Sequence, residues 1–131
     1  MRHVLLRFNY GVEIGARLAY LGHFKVTGDP KVLQISKEEK EHGLAIEWVL
    51  SQYGLKPFFL FNWFFYVVGN LIRIACHISP RAMLDWVAST MELFAVFNYR
   101  LLAKYYPDFR EMFLFMAEEE DLHRKYFKES K

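Results

Sequence analysis

The sequence predicts an all-α fold, a four-helix bundle with a long crossover between the second and third helices. Three observations carry this expectation. Glycine and proline are sparse and separate segments of helix length. Each long segment carries an inward stripe at alternating three- and four-residue steps, and the second half of the chain repeats motifs of the first.

The breaks fall at Thr27-Gly28-Asp29-Pro30, Tyr53-Gly54, Pro57, Ser79-Pro80 and Tyr106-Pro107. They predict helices over 3–26, 30–52, 81–105 and 107–128, and a connecting segment at 55–79 with helical turns of its own. Asp29-Pro30 has the form of an N-cap followed by proline in the first turn, and Ser79-Pro80 repeats that chemistry. No stretch alternates convincingly as a half-buried strand would.

The stripes can be written out. The first helix gives Leu6, Asn9, Glu13, Ala16, Tyr20 and His23, and the second Val32, Ile35, Glu39, His42, Ile46 and Val49. The third gives Asp85, Ala88, Glu92, Ala95, Tyr99 and Leu102, and the fourth Phe109, Phe113, Met116, Glu120, His123 and Phe127. Here the duplication shows itself. Glu13-x-x-Ala16-x-x-x-Tyr20 recurs as Glu92-x-x-Ala95-x-x-x-Tyr99, and Glu38-Glu39-Lys40-Glu41-His42 recurs as Glu119-Glu120-Asp121-Leu122-His123. Each half of the chain is one helix pair.

Composition narrows the class. At 131 residues the chain suits one domain, 1–131, and with 53% hydrophobic and 18% aromatic residues it folds around a large apolar core rather than staying disordered. A formal charge of only +2, with both signs interspersed, gives no field that would draw nucleic acid. The single cysteine, Cys76, excludes an internal disulfide, a four-cysteine zinc site and a rubredoxin-type iron centre, and fits a reducing compartment. Polar residues interrupt the amino-terminal stretch and no small-residue cleavage site follows, so the expected location is the cytoplasm, peripheral to a membrane at most.

Glu39-x-x-His42 and Glu120-x-x-His123 each place a carboxylate and an imidazole on one helix face, where both can reach one ion. Oxygen and nitrogen donors of this kind suit iron, manganese or zinc, and Glu13 and Glu92 supply one bridging carboxylate from each remaining helix. A single Glu-x-x-His is ordinary on a solvated helix. Two copies, with four glutamates and two histidines all on core-facing stripes, are not. Each buried ion costs several kcal/mol, and two divalent cations would balance four carboxylates. Protonated carboxylates or a water-filled cavity would relieve the same cost. The expected metal ligands are therefore Glu13, Glu39, His42, Glu92, Glu120 and His123, a set resembling that of ferritin-like di-iron bundles.

Around these ligands the sequence places small and aromatic neighbours. Ala16 and Ala95, one turn from the single glutamates, leave space for oxygen or substrate, or simply let helices approach. Tyr20 and Tyr99 are candidates for hydrogen bonds behind the ligands or for electron transfer, although core tyrosines with ordinary partners are commoner. The most apolar segment, 57–76, is interrupted by Asn62, Gly69, Asn70 and Arg73, which argues against a spanning helix and for a crossover. Packing of its aromatics on the bundle or against a second subunit is favoured over contact with lipid.

With these residues in view, the chain resembles the demethoxyubiquinone hydroxylase family of ferritin-like di-iron proteins. Glu13-Ile-Gly15-Ala16-Arg-Leu-Ala-Tyr20-Leu-Gly22 is similar to that family's first-helix motif, and the two Glu-x-x-His elements are similar to its own. Pro57, Leu60, Trp63 and Gly69 echo its crossover, and Glu92 with Tyr99 its third helix. Asn98 stands where the family usually has histidine before that tyrosine, and the loop at Tyr106-Pro107 is shorter than in the family. The resemblance implies two iron ions, dioxygen, an external electron donor and a monooxygenase acting on a quinone-like or other lipophilic molecule. It implies bridging or shifting roles for Glu13 and Glu92 and terminal ligation by His42 and His123. A ferroxidase, peroxidase or oxygen-scavenging protein without organic substrate, and a non-catalytic helical interaction module, are the alternatives.

Overall fold

A computed structural model describes residues 2–129. Those residues form five α-helices and no strand: α1 (Arg2–Thr27), α2 (Pro30–Gln52), α3 (Phe59–Ala75), α4 (Arg81–Tyr105) and α5 (Arg110–Glu129). Short 3-10 turns at Cys76–Ile78 and Pro107–Phe109 complete the order. By packing, the chain divides into two compact units, Met1–Ser79 and Pro80–Lys131. That boundary falls between the two copies of the sequence repeat.

In the first unit α1 packs against both α2 and α3. The turn into α2 follows from local chemistry: Gly28 takes φ +67°, and the Asp29 carboxylate accepts a hydrogen bond from Lys31 N at 3.0 Å, with Pro30 opening the helix. Ser36 Oγ donates to Arg17 O at 3.0 Å and the Tyr10 hydroxyl to Glu47 Oε2 at 2.9 Å, tying α2 to α1. The stripes inferred for α1 and α2 are buried at every position.

A second stripe on α1 receives α3, and it is built of glycine. A Cβ on Gly22 would lie 2.6 Å from Arg73 Cα, and one on Gly69 would lie 2.8 Å from Gly15 O. The two backbones touch, as small residues at helix interfaces permit. Phe8 closes the same seam, edge-on to Phe61 and Phe65 at centroid distances of 5.9 and 5.2 Å. Cys76 is buried at the end of this seam, where its Sγ donates to Ala19 O at 3.9 Å, and burial pushes its thiol pKa up.

The connecting segment is thus a full α-helix rather than a few turns. Its residues Asn62, Asn70 and Arg73 are half-buried and Gly69 is buried, so the interruptions that argued against a membrane span lie off the exposed face. That face is apolar: Phe59 is 70% exposed, Trp63 66%, Leu71 61% and Ile74 64%. Among the aromatics of this segment Phe61 is half-buried, whereas Phe58, Trp63 and Phe64 are exposed in the single chain, so that any cover for them would come from a second subunit or a membrane interface. By length and composition alone, Phe59–Ile78 is long and apolar enough to cross a membrane.

The second unit is an antiparallel pair, α4 and α5, joined through the 3-10 turn. Tyr99 stacks on Phe113 at 6.3 Å and Tyr106 tilts over the same ring at 6.1 Å, which fixes the closed end of the pair. The inferred stripes are buried here too, except that Ala95 and Phe109 are half-buried. Ser79 does not cap α4. Its hydroxyl donates back to Ala75 O at 2.8 Å, and Pro80 occupies the cap position without a side-chain hydrogen bond.

The glycine seam gives a direct test. Gly22→Ala and Gly69→Ala should each destabilise the protein by at least ~1–3 kcal/mol, because the backbone opposite cannot yield without separating α1 from α3. Gly43→Ala should be neutral or stabilising, since a Cβ there meets only Glu13 Cβ at 3.6 Å. Urea unfolding of the three variants measures the contrast.

Candidate metal centre

In the first unit the α1 stripe brings Glu13 to the α2 residues Glu39 and His42. All three are buried, at 3%, 1% and 3% exposure. One ligand atom from each lies within 4.8 Å of the others. His42 Nδ1 stands 3.8 Å from Glu39 Oε2. In the second unit α4 and α5 make the same arrangement from Glu92, Glu120 and His123, at 2%, 1% and 3% exposure. His123 Nδ1 lies 3.6 Å from Glu92 Oε2 and 3.8 Å from Glu120 Oε1, with the three donors again within 4.8 Å.

These separations suit a shared cation. Charge-assisted N–H···O bonds are about 2.7–2.9 Å, so 3.6–3.8 Å is too long for one. Two donors bound to one cation at about 2.0–2.2 Å lie up to ~4.4 Å apart, which contains every one of those three distances. In both units Nδ1 is the imidazole nitrogen turned to the carboxylates, so both histidines would ligate in the same way. Each group carries two carboxylates and one imidazole, and one divalent cation would neutralise it. The residues present fit a metal ion in each unit.

The surroundings of the two groups differ. A cavity of about 80 Å³ in the first unit is lined by Glu13, Glu39, Gly43, Tyr10 and Arg17. It has room for water or a diatomic gas. Gly43, absent from the sequence-based candidates, helps to open it by lacking a side chain beside Glu13. The Tyr10 phenol at its rim is pushed up to about 12 by burial and by its hydrogen bond to Glu47, so it remains a neutral donor at physiological pH.

Comparison with family models, curated proteins and solved structures finds no match to this chain.

Among the other sequence candidates, Ala16 and Tyr20 are buried in α1 and Asn98 and Tyr99 in α4. The Tyr99 ring stacks on Phe113, an ordinary core contact. Sequence reasoning missed Asp85 as a charged partner: it is buried on the α4 stripe, and its Oδ2 pairs with Arg81 Nε at 3.6 Å. The signal was there in Arg81 and Asp85 one turn apart.

Buried carboxylates held for a cation should reverse sign with loading. In metal-free protein Glu39→Gln should raise stability, by relieving the repulsion between two buried carboxylates of one group. With a divalent cation in hundredfold excess over its dissociation constant, the native protein should gain ~2.7 kcal/mol per site and the variant less. Thermal unfolding with and without cobalt(II) reads both arms.

Proposed function

We propose that this chain is a ferritin-like di-iron oxidoreductase in which the two half-sites together hold a pair of ions and use dioxygen. The single observation that carries the reading is the duplicated buried group, two carboxylates and an imidazole Nδ1 in each unit. One ion per half gives two ions for four carboxylates, the ligand set of ferritin-like carboxylate bundles. In that architecture α3 serves as the crossover between the two helix pairs. The first-helix motif and both Glu-x-x-His elements support the resemblance to demethoxyubiquinone hydroxylases.

The chain's own residues would divide the work. Glu13 and Glu92 would bridge or change their mode of binding, whereas His42 and His123, neutral and held through Nδ1, would fix one end of each site. Val32, Ile35, Ile46 and Val49 on α2, and Phe113 and Met116 on α5, are buried on the same stripes as the ligands. Iron held by these residues would supply the chemistry of dioxygen reduction; over one turnover an external donor would provide two electrons and two protons in all, so that one oxygen atom enters a lipophilic substrate and the other leaves as water. Asn98, where the family has histidine, cannot relay a proton as an imidazole does. The apolar face of α3 would set the protein against a second copy or a membrane interface.

A second reading, a ferroxidase or oxygen scavenger without organic substrate, is favoured by the cavity of about 80 Å³ beside Glu13 and Glu39, a size that suits dioxygen or peroxide. Oxygen-electrode measurements separate these. The reduced, iron-loaded protein should consume dioxygen, and Glu13→Ala or Glu92→Ala should slow it at least tenfold. A reduced centre stable in air would overturn the reading. In cells lacking their own demethoxyubiquinone hydroxylase, the chain should restore ubiquinone synthesis weakly or not at all.

A further inference from the structure

The second unit holds a much larger cavity, about 1020 Å³, at the open end of the α4–α5 pair. Ala82, Trp86 and Phe127 give it apolar walls, and Arg81, Asp85 and Lys128 stand around them. Nothing in the metal chemistry requires this space. Its volume is at the upper end of what organic ligands occupy, and apolar walls with a few charged groups are the usual form of such sites.

The charges select the ligand. Asp85 is buried and ion-paired to Arg81, so among the described lining residues Lys128 is the charge without a described counter-charge. Lys128 is exposed and makes no ion pair among the described residues. The cavity also lies at the first turn of α4, where no acidic side chain and no side-chain cap offsets the positive end of a long helix. An anionic group is favoured there on both counts. The apolar walls beneath it require a hydrophobic body.

Depth connects the cavity to the ligands described above. Phe127 follows His123 by one helical turn, a rise of ~6 Å, and the lining residue Ser89 precedes Glu92 by one turn, a rise of ~4.5 Å. A molecule with its charge at Lys128 and its apolar end inward would reach within about a turn of the Glu92 and His123 side chains. We propose that this cavity binds an amphiphile with an anionic head, a carboxylate on a medium-length apolar body, as the organic substrate of the oxidoreductase. The substrate role rests on the metal-centre reading; the binding does not.

Trp86 is a built-in reporter. In a Trp48→Phe, Trp63→Phe background it is the only tryptophan, and both replaced residues are exposed. Metal-free protein is titrated with a bromine-tagged ten-carbon carboxylate and with the matching alcohol. Saturable quenching is expected, with the carboxylate binding at least tenfold more tightly. Lys128→Glu, at an exposed position, should abolish that preference while leaving the alcohol unchanged, and Ala82→Phe should weaken both by crowding the apolar wall. Equal affinity for acid and alcohol, or indifference to Lys128→Glu, would overturn the proposal. So would quenching unaffected by Ala82→Phe in a variant of native helicity. Because no metal is present, failure here would remove the substrate assignment alone, and failure of iron uptake would remove the metal centre alone.

Discussion

Four glutamates occupy core positions where helix pairs ordinarily bury leucine or isoleucine, and the rest of the molecule is arranged around that fact. Each of the four is at most 3% exposed. Carboxylates in such places cost several kcal/mol apiece unless opposite charge answers them, and one imidazole per pair does not. The distribution is even, two carboxylates and one histidine in each unit, so the charge problem is the same in both, and one divalent cation would answer each. A duplication of one helix pair explains why the same donor, Nδ1, faces the carboxylates twice.

The first helix shows how a short chain accommodates this. One face of α1 carries Glu13 toward α2, and another, lined by Gly11, Gly15 and Gly22, lets α3 approach to backbone contact. The glycines sacrifice helix propensity, about 1 kcal/mol each relative to alanine, and gain a seam with no room for side chains. In α4 the positions matching Gly15 and Leu18, by the register that aligns Glu13 with Glu92, are Phe94 and Phe97, at 56% and 62% exposure. The two halves share the ligand stripe and diverge on this outer face.

Much of this was legible in the sequence because it depends on periodicity. Alternating three- and four-residue steps assigned the ligand stripes to buried faces, and Asp29-Pro30 marked the start of α2, because both signals act within a few turns. Where the signal is not local the reading thinned. The segment at 57–76 is apolar on nearly every side, so its pattern gave neither a continuous helix nor the face that meets α1; only Gly69 and Arg73, opposite Gly15 and Gly22, carry that information. Ser79 looked like a cap but bonds backward to Ala75, since a serine between two helices can serve either. The cavity at Trp86 and Phe127 joins residues some forty positions apart on two helices, a proximity no spacing rule expresses.

On the proposed di-iron reading the two buried groups would hold two ions close to one another. X-ray absorption at the iron edge of the loaded protein tests this without reference to turnover. The account expects a first shell of oxygen and nitrogen only and an iron–iron distance of about 3.5–4 Å, lost when Glu39 and Glu120 are both replaced by alanine. A sulfur ligand, or isolated iron with no second metal within that distance, would contradict it.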